Sequence, residues 1–128
     1  MNFPENIKYT KSHEWIKVEG DVAIEGITDF AQEELSDIVF IELPDVGGPV
    51  EAGKACGTIE AVKAVSDMLA AVSGEIIETN TALIESPEII NQDPYGEGWI
   101  IKIKISNPED VNNLLSAEEY KKFVAEGH

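Results

Sequence analysis

The chain has 128 residues and a formal net charge of −16, from 25 acidic and nine basic residues, and all nine basic residues are lysines. This length suits one folded unit with a sizeable core, so we expect a single domain over residues 1–128. A strongly anionic surface repels phosphate backbones and anionic lipids, and without arginine the chain lacks the side chain best suited to bidentate phosphate recognition. The composition therefore argues against nucleic-acid and membrane partners and favours proteins with basic surfaces.

The sequence contains no signal for export or metal binding. No apolar run approaches the ~20 residues of a membrane-spanning helix, and the first residues lack a basic segment followed by an apolar one, so we expect a cytoplasmic protein. The single cysteine, Cys56, cannot form an internal disulfide and is predicted to be a small buried core residue. Apart from His13 the only histidine is His128. A zinc site is therefore not expected, and His13 is interpreted as structural.

The first half of the chain alternates apolar and polar residues in short segments. Three of them are predicted strands: residues 13–18, 22–27 and 38–43. Glu19-Gly20-Asp21 supplies turn residues between the first two, which predicts a β-hairpin. Thr28 or Asp29 can cap a short helix that ends near Leu35. Two prolines and two glycines within residues 44–49 predict a loop.

The second half continues in the same way. The further predicted strands are residues 55–60, 68–72, 75–79 and 99–105. In the last one, alternation places Ile101, Ile103 and Ile105 on the core side and both Lys102 and Lys104 in water.

Helical segments are expected mainly near the C-terminus. Pro87–Ile90 could form one helical turn, and a short helix is expected after Asn107-Pro108. Ser116 and Glu119 have the spacing of a capping box, which predicts a final helix. Its buried stripe is expected to contain Tyr120, Phe123 and Val124. Together these elements predict a mainly β sandwich or flattened barrel with short helices, with a core over about 7–106 and a helical segment over about 109–125.

Lys63 is the candidate for covalent modification. It is the only lysine between Lys54 and Lys102, and it stands between two predicted strands. At the tip of a tight turn its amine would project into solvent, and the small residues Ala61 and Ala64 would leave room for a modifying enzyme. Most lysines are ordinary solvated charges, so the evidence that Lys63 is a modification site must come from the motif around it.

That motif resembles the lipoyl-attachment hairpin of the glycine cleavage system H-protein family. It reads Glu60-Ala61-Val62-Lys63-Ala64-Val65-Ser66-Asp67 and is followed by Val72-Ser73-Gly74-Glu75. The resemblance extends from about Ile7 to Ala125. Five further ordered segments also match the family: residues 9–15, 26–28, 37–40, 42–44 and 93–99. Ala61 departs from the serine that is common there, and residues 68–71 replace a stretch that usually contains a proline.

The resemblance implies a lipoyl/biotinyl-type barrel-sandwich hybrid in which Lys63 carries (R)-lipoate through an amide bond. Such a chain is a carrier and not an enzyme. The partners implied are glycine decarboxylase with pyridoxal phosphate, an aminomethyltransferase that uses tetrahydrofolate, FAD-containing dihydrolipoyl dehydrogenase, and a lipoate ligase or lipoyl transferase.

The resemblance also implies roles for four other residues. In this family the lipoyl arm carries the aminomethyl group of glycine from the decarboxylase to the aminomethyltransferase. Ser12, Glu14 and Asp67 correspond to positions that line the cleft in which the loaded arm is held. Glu60 corresponds to a position that can orient recognition by the ligase. Carboxylates near the carried amine would keep it protonated. A protonated nitrogen has no lone pair to expel the thiolate, so such a cleft would slow premature loss of the aminomethyl group.

Other functions are weaker alternatives. A biotin carrier would have methionines where Val62 and Ala64 stand, and a hydrolase or metal enzyme lacks its set of nucleophile and base. An H-like protein that donates lipoyl groups to other complexes remains the nearest alternative. The presence of both the cleft and the hairpin motifs favours the glycine-cleavage role. Trp15 and Trp99 are expected to be packing residues beneath the cleft.

Overall fold

The structure, a computed structural model, describes residues 1–128. Its strands are β1 (Lys8–Tyr9), β2 (Glu14–Glu19), β3 (Val22–Ile27), β4 (Ile38–Glu42), β5 (Pro49–Val50), β6 (Ala55–Ala61), β7 (Val65–Leu69), β8 (Gly74–Thr79) and β9 (Ile101–Ile105). Its helices are α1 (Asp29–Leu35), α2 (Ala82–Glu85), α3 (Ile89–Gln92) and α4 (Ala117–Ala125), with a 3₁₀ helix at Pro108–Asn113.

The strands form two antiparallel sheets. The larger has the order β1-β2-β3-β9-β8-β5, and the smaller has the order β4-β6-β7. The predicted sandwich with short helices is confirmed, although the strand pairing leaves two separate sheets and not a closed barrel. β7 lies at the edge of the smaller sheet, and this exposes the strand that follows Lys63.

Two apolar clusters stabilise the fold. The main cluster contains 16 buried residues between the sheets, including Ile16, Ile59 and Ile103. A second cluster forms where α4 covers β1, and its buried members are Ile7, Tyr9, Trp15, Ala117 and Tyr120. Burying one such side chain contributes roughly 1.5–3 kcal/mol, so the second cluster fixes the C-terminal helix to the sheet.

Several predicted elements are confirmed. The hairpin of β2 and β3 forms, α1 has Thr28 as its N-cap, and β4 and β8 lie within about one residue of their predicted bounds. Ser116 and Glu119 form both hydrogen bonds of the capping box that begins α4. These elements were predictable because their signals depend on neighbouring residues only.

The return strand of the lysine hairpin differs from the prediction. Residues 68–72 were expected as the strand, whereas β7 is Val65–Leu69. The ladder with β6 resumes immediately after a two-residue turn, so pairing begins at Val65. Residues 70–72 are apolar because they are buried where the chain crosses from one sheet to the other.

Other differences are also consequences of packing. Pro49 pairs with Glu75 instead of lying wholly in a loop, because an edge strand tolerates a residue without an N–H group. The segment after Asn107 is a 3₁₀ helix, β1 and α2 were not predicted, and β9 begins at Ile101. Lys102 is half-buried and not free in water, since its amine contacts Glu78 and lies over Trp99. Ile105 is only half-buried.

Cys56 is also less buried than the prediction stated. It packs against the main cluster but is only half-buried, because it lines a groove on the outer face of the smaller sheet. Burial raises the pKa of its thiol. The residue is therefore a packing residue with a thiol that stays protonated at neutral pH.

Candidate functional site

Lys63 lies at the tip of the hairpin between β6 and β7. The amide of Ala61 donates to the carbonyl of Ala64 at 2.7 Å, which closes a turn with Val62 and Lys63 as its central residues. The amide of Val62 donates to the carbonyl of Asp37 at 3.0 Å and so attaches the turn to the residue before β4. Both central side chains are exposed. The fold therefore presents the amine on a short, anchored turn.

The outer face of the smaller sheet is apolar near this turn. Phe40, Glu60 and Val65 lie directly opposite one another on β4, β6 and β7, so their side chains share one face. Phe40 is 47% exposed and Val65 is 63% exposed. Val39, in the bulge of β4, and Val62 are exposed as well. Glu60 therefore stands between exposed apolar side chains and not in the cleft.

A cleft of about 170 Å³ opens on the other side of β7. Its wall contains all three residues predicted there: Ser12, Glu14 and Asp67. Its apolar lining comes mainly from Ile27, Phe30, Leu35 and Ile59. The structure thus brings the turn before β2, the start of α1 and the edge of β7 to one small, partly apolar space.

Glu14 is the most buried polar residue of this wall, with 2% of its surface exposed. Its Oε1 accepts hydrogen bonds from the hydroxyls of Thr10 and Ser12, and its Oε2 accepts one from the amide of Leu69 at 3.2 Å. Burial raises the pKa of Glu14, and these hydrogen bonds act in the opposite direction. The carboxyl group is thus held in one place. Ser12 contributes by fixing Glu14, a role that the motif alone did not specify.

Asp67 is an exposed residue at the rim. It is paired with Thr58, which is in turn paired with Glu42, so these three residues share the outer face of the sheet. Because β7 is an edge strand, Asp67 also borders the cleft, and it lines a second, larger groove of about 710 Å³ on the outer side. Asp67 therefore lies between the two spaces, whereas Glu14 lies deep in one of them.

Comparison with known proteins identifies the family of this chain. The family model described as "Glycine cleavage H-protein" matches residues 7–127. The glycine cleavage system H protein of Bacteroides fragilis is 59% identical over 124 residues, which cover 97% of this chain and 98% of the relative. The chain belongs to the glycine cleavage H-protein family. It is therefore a lipoyl carrier of the glycine cleavage system and not itself an enzyme.

Other members of the family show the same extent of similarity. The H protein of Carboxydothermus hydrogenoformans is 54% identical over 123 residues, which cover 96% of this chain and 95% of that one. The crystal structure of a glycine cleavage system H protein from Mycobacterium marinum superposes with a TM-score of 0.88 at 42% identity, and the match covers 95% of this chain and 98% of that one. The overall fold is therefore shared with this solved H protein over nearly the whole chain.

One buried residue of this H-family chain was not identified from its sequence. Glu25 has no exposed surface, and its Oε1 accepts a hydrogen bond from the amide of Ala71 at 2.8 Å, while Oε2 has no partner. Its side chain faces the other sheet. Glu25 is paired with Ile16, two residues along β2 from Glu14, so Glu14 and Glu25 are diagonal neighbours on the same face. Burial and the neighbouring charge of Glu14 raise its pKa well above the ordinary value. The sequence did contain a signal for its burial, because Glu25 alternates with Ala23 and Ile27 and so lies on the buried face of β3.

The two carboxyl groups hold the same segment. Glu14 binds the amide of Leu69 and Glu25 binds the amide of Ala71, so both act on the end of β7 and the residues just after it. No group of three or more histidine, cysteine or acidic residues is arranged to hold a metal ion. No helix is long and apolar enough to cross a membrane.

Proposed function

We propose that (R)-lipoate is attached to Nζ of Lys63 and that this chain carries the aminomethyl group of glycine. The donor is the pyridoxal-phosphate glycine decarboxylase, the acceptor is the tetrahydrofolate-dependent aminomethyltransferase, and dihydrolipoyl dehydrogenase with FAD reoxidises the arm. The observation that supports this function is the exposed Lys63 on an anchored turn beside a cleft that contains Ser12, Glu14 and Asp67.

The residues around the turn suit such a group. Lipoate supplies a dithiolane that can be reduced and can carry a one-carbon amine. An arm of about ten bonds at ~1.5 Å each lets that dithiolane reach a partner's active site or fold back beside the protein. The apolar side chains of Phe30, Leu35 and Ile59 in the cleft match an alkyl chain. Tethering also keeps the dithiolane at a high local concentration for each partner in turn.

The acidic side of the cleft suits the cargo. A carboxylate within about 4–6 Å of an amine favours its charged form. Glu14, already oriented by Ser12 and by the amide of Leu69, offers a fixed negative group at the wall. Asp67 at the rim adds a second, exposed carboxylate. We therefore assign retention of the protonated amine to Glu14 and Asp67, and orientation of Glu14 to Ser12.

Glu60 and its neighbours fit recognition by the lipoate ligase or lipoyl transferase. An enzyme that forms the amide bond must come within reach of Nζ, and so it must contact the hairpin. Phe40 and Val65 flank Glu60 on that surface. An enzyme that presents an apolar contact beside basic side chains would complement it.

We place this function in the bacterial cytoplasm, because the relatives named above are bacterial.

Residues 1–128 are taken as one lipoyl-carrier domain. The second apolar cluster supports this assignment, since it joins Tyr120 of the C-terminal helix to Tyr9 and Trp15 of the sheet.

Intact mass and peptide mapping test the proposal. The protein is incubated with a lipoate ligase, lipoic acid and ATP. We expect the mass of one lipoyl group on Lys63, none in Lys63→Arg, and normal modification in Lys54→Arg, which changes the exposed lysine just before β6. Modification at any other lysine, or at none, contradicts the assignment.

A second assay separates the glycine-cleavage role from a lipoyl relay. The lipoylated protein is mixed with glycine decarboxylase and labelled glycine. Label that becomes bound to the wild-type chain supports the carrier role. A lipoylated chain that takes up no label, yet passes its lipoyl group to other proteins, would indicate the relay.

A further inference from the structure

The turn that carries Ser12 and Glu14 is connected to the C-terminal helix by the imidazole of His13. Nδ1 of His13 lies 2.7 Å from the hydroxyl of Tyr120 on α4, and this hydroxyl lies 2.8 Å from Oγ1 of Thr28. Thr28 is the N-cap of α1. Tyr120 and Thr28 have no exposed surface. One loop and the two helices therefore meet behind His13, which itself lines the cleft.

These groups form a chain of hydrogen bonds. If each group donates towards His13, every hydrogen in the chain has an acceptor. The amide of Ala31 donates to Oγ1 of Thr28 at 3.2 Å. The Thr28 hydroxyl then donates to Tyr120, and the Tyr120 hydroxyl donates to Nδ1 of His13, an assignment made from the network. Burial lowers the pKa of His13, in agreement with a neutral imidazole whose Nδ1 accepts. The bond between Thr28 and Tyr120 is buried and the bond to His13 is partly buried, and a satisfied network of this kind is rigid.

His13 has an unusual backbone conformation. Its φ of 72° lies in the left-handed region, which residues with a Cβ atom rarely adopt. Such a conformation persists only where the surroundings hold it. The amide of His13 donates to the carbonyl of Thr10 at 3.2 Å, and its carbonyl accepts from the amide of Thr28 at 3.1 Å. Tyr120 holds the side chain, so the residue is restrained at both its backbone and its ring.

We propose that His13 is a positioning residue of the carrier cleft, and that its bond to Tyr120 maintains the left-handed turn that directs Ser12 at Glu14. The chain reverses at His13, which lets the hydroxyls of Thr10 and Ser12 both donate to Oε1 of Glu14. When the imidazole is released, the turn relaxes and the carboxylate loses its fixed position. The effect on the carried amine rests on the proposed function, whereas the effect on Glu14 itself does not.

Two variants break the connection in different ways. Tyr120→Phe removes the hydroxyl and keeps the ring that stacks on Tyr9 at 4.6 Å. His13→Asn keeps a residue that tolerates the left-handed region but is too short to reach Tyr120. The matched control is Tyr9→Phe, because the Tyr9 hydroxyl donates to the carbonyl of Pro4 at 2.6 Å in the same aromatic cluster and does not contact His13.

Amide hydrogen exchange at Glu14 is the first measurement, since this amide donates to Oγ1 of Thr10 at 3.0 Å. We expect exchange to be about tenfold faster in Tyr120→Phe and His13→Asn, as for the loss of one buried hydrogen bond, and unchanged in Tyr9→Phe. Wild-type exchange rates in both variants would overturn the proposal. The same acceleration in the control would also overturn it, because it would show general destabilisation.

The half-life of the aminomethyl group on the lipoylated protein is the second measurement. We expect it to fall about fivefold in both variants, on the scale of one lost hydrogen bond. Adding His13→Asn to Glu14→Gln should shorten it no further, because the carboxylate that His13 positions is already gone. An additive effect contradicts positioning through Glu14. If the wild-type chain is never lipoylated, the proposed function fails, and amide exchange at Glu14 still decides the role of His13.

Discussion

Replacing Glu25 by Gln should make the stability of this protein less dependent on pH. The carboxyl group of Glu25 lies between the two sheets with no exposed surface and with Oε2 unpartnered. Burial, and then the charge of Glu14, raise its folded-state pKa well above the ordinary value of 4.5. Gln has the same shape, can still accept from the amide of Ala71, and cannot ionise.

The sign follows from proton linkage. Because the folded pKa of Glu25 lies above the unfolded value, the folded protein retains a proton that the unfolded chain releases. The contribution of Glu25 is fully present below the unfolded pKa and is lost as the pH rises towards the folded pKa. Within that window the free energy of unfolding falls by about 1.4 kcal/mol per pH unit for one such group. Glu25→Gln removes this slope. The free energy of unfolding of the variant, relative to the wild type, should therefore increase by about 1.4 kcal/mol per pH unit within the window.

Urea unfolding at pH 5, 6 and 7 measures this difference. Glu75→Gln is the matched control, because Glu75 is exposed on β8 and should leave the wild-type slope unchanged. If wild type and Glu25→Gln show parallel free energies of unfolding across these pH values, Glu25 is not a buried acid with a raised pKa. The account of Glu14 and Glu25 as neighbouring buried carboxyl groups would then be wrong.

Three further changes have defined outcomes. Glu14→Gln should leave lipoylation by the ligase intact and shorten the lifetime of the carried aminomethyl group, measured by loss of label; an unchanged lifetime contradicts the role of the carboxylate. Gly74→Ala should lower stability by about 3 kcal/mol or more in thermal unfolding, because a Cβ there would overlap the carbonyl oxygen of Lys104, and a wild-type melting temperature would refute this contact. Phe40→Ser should slow lipoylation without changing the melting temperature, whereas Val18→Ser, which removes a similarly exposed residue from β2, should not; equal rates would exclude the outer face from ligase recognition.

Much of the fold was predictable because its signals are local. Alternation predicted β2 and β3, and the Ser116–Glu119 spacing predicted the start of α4. The return strand of the hairpin was misplaced, because the apolar run over residues 68–72 continues past the end of β7, and residues 70–72 are apolar through burial between the sheets and not through strand pairing. A hydrophobic run reports burial, and only the tertiary arrangement shows which partner buries it.

The candidate site divides in the same way. The motif around Lys63 predicted the site of modification, and the tight turn expected there forms and leaves the Lys63 side chain exposed, since both signals depend on adjacent residues. That Glu14 is held by Ser12 and Leu69 depends on residues two and 55 positions away. The binding of Leu69 by Glu14 and of Ala71 by Glu25, and the connection from His13 to Tyr120, arise only when strands and helices distant in sequence pack together. The sequence by itself determined the motif and the exposed turn at Lys63, the residue that we predict carries the arm. The packing of the two sheets and the C-terminal helix decided how the cleft beside it is charged and held.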